Sequence, residues 1–221
     1  MHLTRFEINP QRREARALIA SPQRIHASVM AGFPDPHDPH DAHNDGRVLW
    51  RLDEGRHDAV LFVVSLGKPD LTHMVESVGR PTYGWQTRDY GPFLDRLTAG
   101  ERWAFRLCAN PVHNTRPADG ASRGKRVGHV TVDQQTAWFL RHAERSGFRV
   151  IEGAAGQPDL VVRSRRTQRF ARQQRTVTLT TAVFEGTLLV EDPQTLRAAL
   201  LGGIGPAKGY GCGLLTLAAA G

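Results

Sequence analysis

The chain has 221 residues, enough for two domains of about 100 residues each, with 29 Lys+Arg against 22 Asp+Glu, a formal charge of +7 and a pI of about 10.2. Two cysteines without metal-ligand spacing, an opening MHLTRFEINP with no apolar leader core, and no run of membrane-span length exclude a disulfide framework, a secretory leader and a spanning helix. What remains is a cytoplasmic protein with reduced thiols and a polyanionic partner; only Lys68, Lys125 and Lys208 are lysine, and arginine forks suit phosphates and stacked bases.

In chain order, LTRFEIN (Leu3 to Asn9) alternates apolar and polar residues and reads as a strand that Pro10 ends. QRREARALIA opens a helical stretch, which Pro22 interrupts or restarts before RIHASVMAGF. DPHDPHDAHND (Asp35 to Asp45) spaces His37, His40 and His43 three apart among carboxylates, ligand types that a transition metal accepts. Its prolines and polar composition read as a loop, and no metal is assigned to it. VLWRL (Val48 to Leu52) and AVLFVVSL (Ala59 to Leu66) are strands, a less regular stretch runs to Gly100, and ERWAFRLCANP (Glu101 to Pro111) reads as the fourth strand. That order, β-α-β-β-(α)-β, is ferredoxin-like.

The second half repeats the plan. GKRVGHVTV leads into a helix, DQQTAWFLRHAERSG, with Ala137, Phe139, Leu140 and Ala143 near one face and Gly147 closing it. Strands follow at FRVIEG, DLVVRSRR and TVTLTTAVFEGTLLVED, then a helix (Asp192 to Leu201), a glycine-rich loop and a last strand (Leu214 to Ala219). The expected fold class is α+β: two tandem ferredoxin-like (RRM-like) domains, residues 1–114 and 115–221, with a C-terminal glycine-rich loop. Sheets of this kind also carry the common RNA-binding modules.

Between Leu160 and Phe184 there is no acidic residue, while Arg163, Arg165, Arg166, Arg169, Arg172 and Arg175 are basic. Such a block repels itself unless a polyanion neutralises it, so it is expected to be a protruding hairpin that binds nucleic acid. Phe170 would stack on a base or anchor the turn. Lys125 and Arg126 in GKRV are further phosphate candidates, with plain surface charge as the other reading. In GGIGPAKGYGCG (Gly202 to Gly213), Gly203, Gly205, Gly209 and Gly211 would let bare N–H groups and Lys208 cradle a phosphate. The helix-loop-strand order fits neither a dinucleotide turn nor a Walker loop and suits a polynucleotide backbone; a flexible C-cap and turn is the alternative.

Phe184 to Ala218, FEGTLLVEDPQTLRAALLGGIGPAKGYGCGLLTLA, resembles the C-terminal signature of the CasE-type CRISPR RNA endoribonucleases, the crRNA-processing subunits of type I-E Cascade within the RAMP superfamily. RLCANPVHN, GKRV, QTAWFLRHAERSGFRV and MHLTRFEINP resemble its other blocks, so the likeness spans nearly the whole chain. It implies metal-independent cleavage of CRISPR repeat RNA at the base of its stem-loop, without a cofactor, by an enzyme that stays with its product and the other Cascade subunits. The alternative is a non-catalytic stem-loop-binding subunit. It also implies that His26 is the catalytic histidine, with Arg165 and Arg166 the nearest source of positive charge. The chain departs from the family where a tyrosine commonly stands three residues before the histidine, which is Gln23 here, and has Ala27 and Ala31 where basic residues can follow.

Overall fold

The computed structural model describes residues 1–33, 48–80, 84–115, 125–153, 156–172 and 175–220; the segment with His37, His40 and His43 lies outside them. Strand β1 (His2–Ile8) leads to helices α1 (Arg13–Ile19) and α2 (Pro22–Met30), strands β2 (Leu49–Glu54) and β3 (Ala59–Ser65), helix α3 (Thr72–Val78) and strand β4 (Trp85–Asp89). These strands form an antiparallel sheet in the order β2-β3-β1-β4, the ferredoxin-like arrangement. Pro22 does not interrupt a helix but starts one, where its fixed φ is suited and Ser21 Oγ accepts from the Arg24 amide.

Alternation along the strands gives this sheet one apolar face and one mixed face. Phe6, Ile8, Trp50, Leu61 and Val63 pack against Ile25, Val29 and Met74 of the helices. Leu49 and Val64, on the opposite face, belong to the core of the second half. The second half covers this face at Leu49 and Val64, which ties the two halves together, while Arg5, Gln86 and Arg88 on the same face stay exposed.

Helix α4 (Gly91–Asp95) precedes β5 (Arg102–Ala109), the short pair β6 (Val112–Thr115) and β7 (Lys125–Gly128), α5 (Val132–Arg145), β8 (Phe148–Val150), β9 (Leu160–Arg172), β10 (Arg175–Val190), α6 (Pro193–Gly202) and β11 (Leu215–Ala219). The second sheet runs β11-β5-β10-β8 with β9 on β10, so the chain holds two tandem ferredoxin-like folds. The strand expected at Glu101–Pro111 is therefore β5, which pairs with β10 and β11 rather than closing the first sheet. Strand β4 does that, and the change of sheet falls between Asp89 and Arg102, upstream of residue 114 where the sequence reading divides the chain.

Thr131 and Gln134 make a capping box at the start of α5. The helix buries Gln135, Trp138, Phe139 and Ala143, while Ala137, expected inside, is exposed because Trp138 takes the inward position. Phe139 stacks on Phe105 and Phe184 at 5.2 and 4.8 Å. Asp192 caps α6 through the Gln194 and Thr195 amides, and Arg197 binds the Leu94, Asp95 and Leu97 carbonyls at 2.5, 2.8 and 3.2 Å. The free thiols Cys108 and Cys212, distant in sequence, meet here; the hydrogen bond to Cys108, then burial, raise the Cys212 pKa well above the usual value. Among the described residues no helix is long and apolar enough to cross a membrane, and no cluster of three His, Cys, Asp or Glu is grouped to hold a metal.

Candidate functional site

His26 sits in the middle of α2, half-buried, on a surface that the glycine-rich loop packs against. Together they form a cleft of about 500 Å³ lined by His26, Val48, Arg126, Gly205, Pro206, Ala207, Lys208 and Gly209. A single 3-10 turn, Lys208–Tyr210, brings the loop to the histidine: a Cβ on Gly209 would lie 4.0 Å from His26 Cε1. The imidazole thus faces bare backbone, with a guanidinium and an ammonium group at the same cleft. That set joins a group able to exchange a proton near neutral pH to cationic charge for a phosphate.

The glycines serve different ends. β2 is an edge strand, and the loop folds over that edge from one face of the sheet to the other. Gly203 lies against Leu49, where an added Cβ would be 3.0 Å from Cδ2, and Gly211 against Trp50, where it would be 2.6 Å from Cζ3. Gly205 lies against the Trp138 ring, where an added Cβ would be 2.9 Å from Cη2. All three have φ between 75° and 79°, a left-handed value that favours glycine. The amides of Gly203, Ile204, Tyr210, Gly211 and Gly213 donate to carbonyls of Ala199, Gly213, Ala207, Lys208 and Cys108. Those N–H groups are spent inside the protein, so the expected row of bare donors is shorter than the sequence suggests. Lys208 Nζ donates to the Gly202 carbonyl, which holds the cation at the cleft and also laces the loop together. Gly209, next to His26, has neither positive φ nor a close neighbour.

The CRISPR associated protein family matches residues 1–219. The chain belongs to this family. The CRISPR-associated endoribonuclease Cse3 of Thermus thermophilus is 33% identical over 227 aligned positions, covering 99% of this chain and 100% of that one. The Cascade subunit CasE of Escherichia coli K12 is 34% identical over 129 positions, 56% of this chain and 61% of its own. The structure of Thermus thermophilus Cse3 bound to an RNA representing a pre-cleavage complex matches with a TM-score of 0.78 at 31% identity, covering 99% of this chain and 98% of that chain.

In this CRISPR-associated protein the arginine hairpin exists as β9 and β10, but it is less unbalanced than its own sequence. Arg166 pairs with Glu54 at 2.7 Å and Arg163 with Glu185 at 3.2 Å, both carboxylates lying outside the acid-free segment. Arg165 Nη1 donates to the Val130 carbonyl at 3.2 Å. Neither Arg165 nor Arg166 lines the His26 cleft; Arg126 and Lys208 do. Arg169 is exposed, and among the described residues no carboxylate is within ion-pair reach of it. The backbone places Lys125 at the start of β7 and Arg172 at the end of β9. Phe170 packs edge-on against Tyr210 at 5.2 Å, anchoring the hairpin to the glycine loop. Sequence reasoning missed Glu54, Glu185, Tyr210, Trp50 and Trp138, because each acts through a partner more than 20 residues away.

Proposed function

We propose that this chain is a metal-independent endoribonuclease that cleaves CRISPR repeat RNA at the base of its stem-loop and stays bound to the product as a Cascade subunit in the cytoplasm. The observation that carries the reading is the cleft in which His26, Arg126 and Lys208 converge on the unencumbered backbone of Gly209. The endoribonuclease relatives supply the substrate class.

In this reaction the 2′-OH beside the scissile phosphate attacks in line, and the 5′-oxygen leaves. The products are a 2′,3′-cyclic phosphate (or the 3′-phosphate) and a 5′-hydroxyl. His26 moves the proton, taking it from the attacking oxygen or giving it to the leaving one, a contribution of roughly 10²–10⁴-fold. Arg126 and Lys208 stabilise the charge gathering on the phosphorane oxygens. Gln23 stands one helical turn before His26, where its amide can orient a group by hydrogen bonding but cannot exchange a proton. The hairpin residues Arg163, Arg165, Arg166, Arg169 and Arg172, with Lys125, bind the stem through its phosphates.

The test is single-turnover cleavage of the protein's own repeat RNA in chelator. Wild type should cut, His26→Ala should not, and stem-loop affinity should be nearly equal for both, because the imidazole acts in the transition state. A 2′-deoxy substitution upstream of the cut should block the reaction. Equal cleavage by His26→Ala would remove the histidine, and binding without cleavage by wild type would leave a non-catalytic RNA-binding subunit.

A further inference from the structure

Arg51 is 2% exposed, among the most buried side chains of the protein, although it is charged. It lies on β2, on the face that the first sheet turns toward the second domain, with its guanidinium 5.4 Å from the Phe62 ring centroid. Nε and Nη2 grip Asp53 with two parallel bonds of 2.8 and 2.9 Å. The remaining hydrogens leave the first domain altogether. Nη1 donates to the carbonyls of Arg106 on β5 and Leu214 beside β11, at 2.7 and 3.0 Å, and Nη2 to Thr216 Oγ1 on β11 at 2.8 Å. One rigid fork therefore satisfies partners on three strands of two sheets, a task that an ammonium group cannot duplicate.

Leu214 follows directly on the loop that ends at Gly213, and the residues flanking Arg51 hold the other parts of the site. Trp50 seats Gly211, and Leu49 seats Gly203. His26 belongs to the first domain, while Gly205 to Gly209 belong to the second. The two walls of the cleft come from different domains.

We infer that Arg51 is a positioning residue: it pins the glycine loop and β11 to β2 and so fixes the distance between His26 and the loop wall of the cleft. This rests on the endonuclease reading above. A displacement of about 1 Å in such a site can lower the rate about 10²-fold without any direct contact to the reacting atoms.

The experiment compares wild type, His26→Ala, Arg51→Lys and Thr216→Val, each checked for folding by thermal melting and assayed well below its melting temperature. Single-turnover cleavage at saturating protein, stem-loop affinity, and hydrogen exchange of the Gly211 and Gly213 amides are read together. Arg51→Lys should cut about 10²-fold more slowly while its RNA Kd changes less than about threefold, with faster exchange at both amides. A folded Arg51→Lys with the wild-type rate overturns the inference. Should Arg51→Lys not fold, Thr216→Val decides, since it removes one second-domain partner and leaves the Asp53 pair intact: a slower cut with retained affinity supports the pin, and a wild-type rate overturns it. The controls separate the two readings, because loss of cleavage in His26→Ala establishes the enzyme whatever Arg51 does. Where wild type itself does not cut, exchange alone decides, and unchanged protection in the folded Arg51 and Thr216 variants overturns the pin.

Discussion

Gly211→Ala and Gly209→Ala are the same chemical change two residues apart, and the structure assigns them opposite outcomes. At Gly211 the backbone is left-handed, φ 79° and ψ 17°, which costs an L-residue roughly 1–2 kcal/mol. The new methyl would also stand 2.6 Å from Cζ3 of Trp50, whose ring is 2% exposed and cannot swing away. Forcing an extra methyl into a packed core adds about 1–3 kcal/mol, for a total of about 2–5 kcal/mol. A chain of this size loses about 2–4 °C per kcal/mol, so Gly211→Ala should melt about 4–20 °C below wild type. At Gly209 the methyl would find His26 Cε1 at 4.0 Å, an ordinary contact, and stability should stay within about 0.5 kcal/mol. That same methyl narrows the cleft beside the imidazole, so Gly209→Ala should impair RNA cleavage at an unaltered melting temperature. Thermal denaturation followed by circular dichroism, with cleavage measured on the folded proteins, decides the matter. Two variants that melt alike would refute this division of the loop into a packed part and an open part.

Two further outcomes follow from charge. On the proposal that Arg166 binds the stem, Glu54 competes with RNA for it, so Glu54→Gln should tighten stem-loop binding by roughly 1.5- to 5-fold, the equivalent of an exposed ion pair of about 0.2–1 kcal/mol. Arg169→Ala should shrink the slope of log affinity against log salt by about 0.7–0.9, and an unchanged slope would show that the hairpin does not meet the phosphates. His129 packs 4.7 Å from His113, and burial, then the neighbouring His113 and Arg141, hold its pKa below the usual 6.5. The unfolded chain then binds the proton more readily, so this contribution to stability is complete above about pH 6.5 and is lost as pH falls through the folded value. Wild type should lose more melting temperature on acidification than His129→Asn, and equal losses would refute the assignment.

Much of the fold was legible because its strands alternate cleanly and three of its helices, α2, α5 and α6, carry a capping residue in the sequence. Ser21-Pro22, Thr131 with Gln134, and Asp192-Pro193 all mark real helix starts. What failed was sheet membership. Trp85–Asp89 is short and polar, with no fully buried side chain, so it carries little apolar period, whereas Arg102–Ala109 alternates strongly. Nothing local tells such a strand which sheet will take it. At the site, His26 and the glycines were visible as residue types, but the arginine hairpin was read as an isolated charge block. Glu54 and Glu185 reach it only through tertiary structure. Likewise the sequence could not distinguish Gly209, open toward His26, from Gly205 and Gly211, which are flat seats for indole rings.

The order in which the site's parts are made has a consequence for synthesis. His26 is made long before its opposite wall, Gly205 to Gly209, which is fastened by contacts that run on to Leu214 and Thr216. The first domain can fold while the rest is still being translated, since its own strands complete a sheet by Asp89. The cleft cannot. A growing chain that has not reached β11 carries His26 without its facing wall, so the cleft closes only when the last strand of the second sheet has been made.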